Sequence, residues 1–304
     1  MKTKYFLYLI LLTCLTACAR KQGVITYQFQ KRNTVLFDIK QTDSDGKNVN
    51  SKVRMYVREA KAQDAQIEFT TTDISSAPTG NQEQDEMIQN IVKEVLGSSS
   101  TIIQFEDGKP TKVVNLDEIK ASVPKMVESI FNSIPNDDPE TAEAIDIVKN
   151  MTDFLSSTIK SSITDELLIA QYADFILYDV PAELGDKKET AGEVGTIETS
   201  LKATNNPNEF SYKQVSDIKL NKEQLKKAAA GEIDGLPNDM KTLLKSGAFS
   251  LILSMLDDIA VKTEREGIIM QDGTPKNIKK TVQTSLSMMG EKTTTTESME
   301  ITRQ

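Results

Sequence analysis

The stretch SKVRMYVR, residues 51 to 58, places apolar and polar side chains at alternate positions. Because successive side chains of an extended chain point to opposite sides, Val53, Met55 and Val57 would lie together on one side. A period of two is typical of a strand that buries only one face. The stretch therefore predicts a sheet with one apolar side and one polar side.

The same alternation continues on both sides of this stretch. Between residues 24 and 73 it is found in three further segments, VITYQFQ, NTVLFDIK and AQIEFTTT. The pairs Asp45-Gly46 and Asp107-Gly108 are typical of tight hairpin turns. Residues 173–216 return to the pattern in DFILYDV, GTIETSLKAT and NEFSYKQVSDI, and 258–304 predicts three or four more strands.

Helical patterns separate these strand regions. Apolar residues recur every three or four positions in 82–96, in a block from 116 to about 172, and from about 237 to 255. This is the period of an amphipathic helix. In the middle block, the predicted buried stripe consists of Ile119, Val123, Val127 and Ile130.

Proline and capping residues predict where these helices begin and break. Pro124 predicts a kink or a break in the first helix of the middle block. Asn115, with Glu118 three residues later, resembles a capping box. Asn221 predicts the cap of a separate short helix, and 164–172 predicts another.

These elements predict a fold of the α+β class. The strands come in runs, and the helices are too few to cover both faces of a parallel sheet. We therefore expect a curved antiparallel sheet, half-barrel-like, with helices packed on one face. On this prediction residues 24–304 form a single domain.

Two similar segments raise the possibility that the chain contains an internal duplication. The segments IIQFEDGKPTKVVN at 102–115 and IIMQDGTPKNIKK at 268–280 each place Asp-Gly-x-Pro after an apolar strand. They would belong to two related halves, 24–180 and 181–304. The alternative is that the two turns are independent, because Asp-Gly is a general hairpin signal.

The N-terminus has the pattern of a secretory signal. Lys2 and Lys4 precede a short apolar run, and the small residues Thr16 and Ala17 follow it. The run of about 12 apolar residues is shorter than the roughly 20 that span a bilayer. We therefore expect residues 1–17 to be a signal peptide that is removed.

The segment Leu15-Thr16-Ala17-Cys18 resembles the lipobox of bacterial lipoproteins. The resemblance implies cleavage before Cys18, a diacylglyceryl group on its sulfur and an acyl chain such as palmitate on its amine. Two or more acyl chains anchor a protein stably, whereas one anchors it marginally. The small and basic residues of the tether, 18–23, imply by the same resemblance a lipoprotein of the outer membrane that faces the periplasm. An ordinary signal peptide with an incidental cysteine is the alternative.

Composition narrows the classes of function. Of the 304 residues none is histidine and two are cysteine, and Cys14 would leave with the signal. The commonest general base and metal ligand is thus missing, which excludes Ser-His, Cys-His and zinc sites of the familiar kind. Loss of two lysines with the signal takes the net charge from -9 to -11, which disfavours nucleic acid as a partner. We expect no enzymatic activity, no cofactor and no metal.

An exported, lipidated and histidine-free chain with strand, helix and strand regions resembles the LolA/LppX-like half-barrel carriers of lipids and lipoproteins. The resemblance is one of architecture, over most of residues 24–304. It implies an apolar cavity for acyl chains between sheet and helices, and it implies the membrane and a hydrophobic ligand as partners. The residues predicted to line the cavity are Met126, Phe131, Met151, Phe154, Phe249 and Met255. Ordinary core packing is the alternative for all six.

Two other functions stay open. An envelope scaffold with a filled core would bind a protein through an exposed patch or a strand edge, and the Thr-rich segment 293–296 is the candidate edge. A carboxylate-based enzyme would need acidic pairs to converge, and the candidates are Asp257-Asp258, Asp137-Asp138 and Asp85-Glu86. Adjacent residues on a strand point to opposite faces, which disfavours the enzyme.

Overall fold

A computed structural model of the chain describes residues 25, 27–76, 100–132, 152–178, 180, 183–190, 194–230, 232–233, 236, 256–288 and 290–304. These residues form eleven strands and four helices. The strands are β1 (Thr34–Thr42), β2 (Asn48–Lys61), β3 (Asp64–Ser76), β4 (Thr101–Glu106), β5 (Lys109–Val113), β6 (Gly185–Thr190), β7 (Gly195–Ala203), β8 (Glu209–Asn221), β9 (Leu256–Met270), β10 (Pro275–Met288) and β11 (Glu291–Arg303). The helices are α1 (Leu116–Asn132), α2 (Thr152–Ser162), α3 (Asp165–Tyr172) and α4 (Lys222–Ala229).

All eleven strands form one open antiparallel sheet. Its order is β5-β4-β3-β2-β1-β11-β10-β9-β8-β7-β6. Strands β1 to β5 and strands β6 to β10 thus form two runs that are ordered in the same direction across the sheet, and β11 lies between the two runs. The two similar Asp-Gly segments join the fourth and fifth strands of such a run, β4–β5 and β9–β10. A tandem duplication would give this order, and the duplication itself stays a prediction.

The sheet has one apolar face, as the alternation predicts. Phe37, Val53, Phe69 and Leu220 are almost completely buried, and we call their side the inner face. The described helices that touch the sheet pack on this face: Ile119 of α1 and Leu168 of α3 join Phe37 and Phe69 in one cluster. Leu225 of α4 joins Leu220 in a second cluster. Burying each such side chain contributes about 1.5–3 kcal/mol, so the inner face holds the fold together.

The strands end alternately at two ends of the sheet. We call the lower end the one that carries the turns at 62–63, 107–108, 205–208 and 271–274. The upper end carries the β1–β2 turn at 43–47 and the β10–β11 turn at Gly290.

The ring of Tyr27 shows that the sheet is strongly curved. Six strand spacings separate the β4–β5 turn from the β9–β10 turn, which would be about 29 Å in a flat sheet. However, a Cβ atom added to Gly108 would lie 2.7 Å from Tyr27 Cδ2, and one added to Gly273 would lie 2.5 Å from Tyr27 Cε1. One aromatic ring touches both turns, so the two halves of the sheet bend towards each other around the inner face.

Two segments with strand-like alternation are not strands. The described residues of VITYQFQ, 25 and 27–30, pair with no strand, and those of DFILYDV, 174–178 and 180, form turns and bends. Both segments lie against the inner face, where Ile25, Phe175 and Ile176 are buried. An alternating pattern shows that one side of a segment is buried. A segment that lies across the inner face of a curved sheet buries one side as a strand does, and it therefore has the same pattern.

Three details of the helices and edges also differ from the predictions. α1 runs through Pro124 without dividing. The Asn115 side chain caps no helix: its Oδ1 accepts from the Ile102 N–H at 2.9 Å, and its Nδ2 donates to the Ser100 carbonyl at 2.7 Å. The edge strand β6 was not predicted, because its residues GDKKET include no apolar side chain.

Other predictions are confirmed. Asn221 caps α4 in a full capping box with Gln224, and 164–172 forms the cap and body of α3. Hairpin turns occur at both Asp-Gly pairs, with left-handed φ angles of 78° at Gly46 and 75° at Gly108. The predicted helices at 82–96 and 237–255 lie outside the described residues.

Candidate functional site: the central row of the inner face

One row of inner-face residues crosses six neighbouring strands. Strand register places these residues directly opposite one another, from β8 through β9, β10, β11 and β1 to β2. We call them the central row: Gln214, Arg265, Lys280, Met299, Gln41 and Val49. The row begins in a buried cluster of charged and polar side chains and ends in an open groove.

The buried cluster is built around Asp174, which is only 4% exposed. The Arg265 Nε donates to Asp174 Oδ1 at 2.8 Å, and the Lys280 Nζ donates to Asp174 Oδ2 at 2.9 Å. The Arg265 Nη1 also donates to Gln214 Oε1 at 2.8 Å. Since buried charges need partners, this arrangement fixes the segment that carries Asp174 onto strands β8 to β10.

The neighbouring cations control the ionisation of Asp174. Burial alone would raise the pKa of its carboxyl group. The charges of Arg265 and Lys280, and the hydrogen bonds from both, outweigh burial and hold the pKa at about 2, below its ordinary value of 3.8. A general base works best with a pKa near the operating pH, so this carboxylate is suited to holding structure and poorly suited to proton transfer.

The open groove lies beside this cluster, on the inner face towards the upper end. It has a volume of about 320 Å³, and Lys280 belongs both to it and to the cluster. The residues that line it are Gln41, Thr42, Asp43, Lys47, Val49, Lys280, Val282, Glu297, Ser298 and Met299. Its floor is formed by Val49, Val282 and Met299, all half-buried. Met299 also packs against the edge of the cluster around Phe37 and Phe69.

A larger depression on the sheet is a poorer candidate. It measures about 500 Å³ and includes outer-face side chains around Gly267. The charged residues there pair across strands, with Lys213 and Glu266 at 3.8 Å and Lys279 and Glu300 at 3.7 Å. Solvated ion pairs of this kind are normal on the outer face of a sheet, and they account for the charged side chains there without a ligand.

The sequence-predicted lining residues stay largely untested by the structure. Met126 is half-buried on α1 and is not part of the groove. Phe131 and Phe154 fall on α1 and α2, but their side chains lie outside the described part, as do Met151, Phe249 and Met255 altogether. Cys18 also lies outside the described residues.

Sequence reasoning did not single out the groove residues. Val282 and Met299 do alternate with polar neighbours, which marks them as inner-facing. Their meeting with Val49 depends on the pairing of β1 with β11, and no local pattern predicts that pairing.

The segment 293–296, predicted to be a strand edge, belongs to a strand inside the sheet but lacks a neighbour on one side. β11 lies in the middle of the sheet, between β10 and β1. However, its pairing with β1 ends at Ser298, whereas its pairing with β10 continues to Glu291. Among the described strands, the segment therefore has a partner on the β10 side alone.

Within the described residues, no group of histidine, cysteine and acidic side chains has the composition of a metal site. The described helices include none that is both long and apolar enough to cross a membrane.

No family model and no curated protein matches the sequence. Among solved structures, the chain is similar to one described as "Lipid-protein interactions in lipovitellin". The alignment has 7% identity and a TM-score of 0.32, and it covers 91% of this chain and 25% of that chain. This chain thus spans about a quarter of the lipovitellin chain, and at this TM-score no property of lipovitellin is transferred to it.

Proposed function

We propose that this protein is a lipid-anchored protein of the cell envelope that binds a lipid, or another elongated apolar molecule, on the inner face of a half-barrel sheet. The groove beside Met299 carries the proposal. It lies on the apolar face of the sheet, and the three apolar side chains of its floor, Val49, Val282 and Met299, are half-buried and border open space. Its volume of about 320 Å³ falls within the roughly 300–1,000 Å³ of small-molecule sites.

The chemistry of the groove favours an amphipathic ligand. Val49, Val282 and Met299 provide an apolar floor, and the flexible thioether of Met299 can adapt to different chains. Asp43, Lys47 and Glu297 line the same groove with charge. An acyl chain would lie along the floor while a polar head group remains among these charged side chains.

The sequence of the N-terminus supports the anchor. The lipobox-like segment ends at Cys18, the one cysteine that would remain after removal of residues 1–17. A thioether at Cys18 leaves no reactive thiol on an exported protein, and two or more acyl chains would hold it at a membrane. The outer membrane is the proposed location, with the folded part in the periplasm.

The polar groups of the inner face favour a binding protein over an enzyme. The sequence contains no histidine. Asp174 has a low pKa, and both of its oxygens accept hydrogen bonds from cations. These features support a structural role for the most deeply buried charges of the inner face.

Direct binding of a fluorescent fatty-acid analogue tests the proposal. The analogue should bind to residues 19–304 produced without the anchor. Val282→Trp fills the groove and should weaken binding at least tenfold, about 1.4 kcal/mol. Gln283→Trp is the matched control, because Gln283 is the next residue of β10 and is exposed on the outer face. Equal affinity in the two variants would reject the groove as the site and favour an envelope scaffold with a filled core.

A further inference from the structure

The described chain enters the fold at the lower end. Ile25 is 7% exposed and packs against Leu177, Leu201 and Phe210 in the lower part of the sheet. From there the segment passes Tyr27, between the two glycine turns, to Phe29, whose ring centroid lies 5.5 Å from that of Phe105. The segment therefore crosses the lower opening of the curved sheet from one half to the other.

Hydrogen bonds close this opening around Tyr27. The Tyr27 hydroxyl donates to the Leu177 carbonyl at 2.6 Å, and the Leu177 N–H donates to the Gly273 carbonyl at 3.0 Å. Beside them, the Arg303 Nη1 donates to Thr274 Oγ1 at 2.8 Å, and Thr274 is fully buried. The lower end is thus tied across both halves of the sheet, whereas the groove extends to the upper turn through Asp43 and Lys47.

The tether to Cys18 is short. Six residues, 19–24, separate Cys18 from Ile25, and an extended chain over this distance reaches at most about 25 Å. The strands are longer: from Lys292 to Arg303, β11 advances eleven residues, which is roughly 37 Å at the usual rise. Arg20 and Lys21 add two positive charges to the tether, and each contributes about 1 kcal/mol of attraction to an anionic membrane surface.

We infer that the closed lower end is the surface that faces the anchoring membrane and that the groove opens away from it. The inference rests on the proposed anchor at Cys18. The tether joins Cys18 to Ile25 at the lower end, and it is shorter than the strands. Cys18 therefore cannot lie at the upper end, so the bilayer lies against the turns at 107–108, 205–208 and 271–274. A ligand therefore enters and leaves on the side remote from the bilayer that holds the protein, and its donor or acceptor is not that bilayer.

Distance from a labelled bilayer tests this orientation in the full lipidated chain. Asn205→Cys places a donor dye in an exposed lower turn, and Lys292→Cys places the same dye at the exposed upper end of β11. Each variant is reconstituted into phosphatidylethanolamine–phosphatidylglycerol vesicles that carry an acceptor dye on the head groups. Energy transfer should be several-fold higher from position 205 than from position 292.

The design separates orientation from anchoring. The unsubstituted chain should take no thiol-reactive dye, because Cys14 leaves with the signal and the Cys18 sulfur is a thioether. Equal transfer from both positions, or higher transfer from position 292, in protein that floats with the vesicles would overturn the orientation alone. Protein that does not float with vesicles would overturn the anchor and the orientation together.

Discussion

The guanidinium of Arg265 donates from Nε to Asp174 Oδ1 at 2.8 Å, although 91 positions separate the two residues in the sequence. The side chains are 12% and 6% exposed, so the pair is shielded from water. It connects the irregular segment after α3 to the middle of β9. The inner face therefore depends on a few buried polar contacts as well as on its apolar clusters.

Removal of the carboxylate should destabilise the fold strongly. In Asp174→Asn, Arg265 and Lys280 lose the buried carboxylate that accepts a hydrogen bond from each of them, and breaking a buried pair in this way costs about 3–5 kcal/mol. Urea unfolding measures the loss. Asp217→Asn is the control, because the Asp217 side chain is 47% exposed and lies 3.9 Å from Lys219, and its loss should change stability by less than about 0.5 kcal/mol. Equal effects would mean that the buried pair has no special weight.

Acid should weaken the same contact. The pKa of Asp174 is about 2 in the folded protein and 3.8 as the ordinary value, so the folded state binds this proton less readily than the unfolded state. The contribution, roughly 2 kcal/mol, is fully present above about pH 5 and is lost as the pH falls through 3.8 towards 2. The difference in unfolding free energy between the wild type and Asp174→Asn should shrink over this range. A difference that stays constant down to pH 2 would contradict the assignment.

The Tyr27 contact predicts unequal effects of one substitution at similar glycines. Gly46 and Gly273 have φ angles of 78° and 81°, so Gly→Ala carries about the same backbone cost, 1–2 kcal/mol, at both. A new Cβ meets nothing within 4 Å at Gly46, whereas at Gly273 it would lie 2.5 Å from the Tyr27 ring. Gly273→Ala should therefore lose an additional 1–3 kcal/mol or so, and Tyr27→Ala should abolish this excess in a double-mutant cycle.

Substitutions at Asn115 and Glu118 test whether Asn115 links two backbone groups or caps a helix. Because its amide holds the Ile102 N–H and the Ser100 carbonyl, Asn115→Ala leaves a buried donor without its acceptor and should cost about 1–3 kcal/mol. Glu118→Ala should be close to neutral in thermal unfolding, since the capping box predicted from the sequence is not formed. A large loss in the Glu118 variant would instead restore the capping box.

Much of the sheet is predictable from alternation alone. Val53, Met55 and Val57 are all buried on the inner face, and the outer positions between them remain polar. The pattern has a limit at VITYQFQ and DFILYDV, because burial of alternate side chains does not require hydrogen bonding to a neighbouring strand. It fails in the other direction at β6, whose exposed lysines and acids pair with β7 by backbone contacts and give no apolar signal.

The site is less predictable than the fold, because its residues meet through long-range pairing. Lys280 and Met299 are cross-strand neighbours in a hairpin, and their contact follows from local sequence. Gln41 and Val49 reach them only because β1 closes against β11 at the centre of the sheet. Asp174 could not be assigned a buried role from sequence, since its cationic partners lie on β9 and β10.

Native mass spectrometry of residues 19–304, purified from a bacterial host without the anchor, tests the central claim most directly. The proposal predicts a stoichiometric lipid that is released on denaturation and recovered by solvent extraction. The same preparation of Val282→Trp should lack this lipid, while Gln283→Trp retains it. A wild-type protein that carries no lipid, and takes up none when lipid extract is added, would contradict a lipid-binding groove on the inner face.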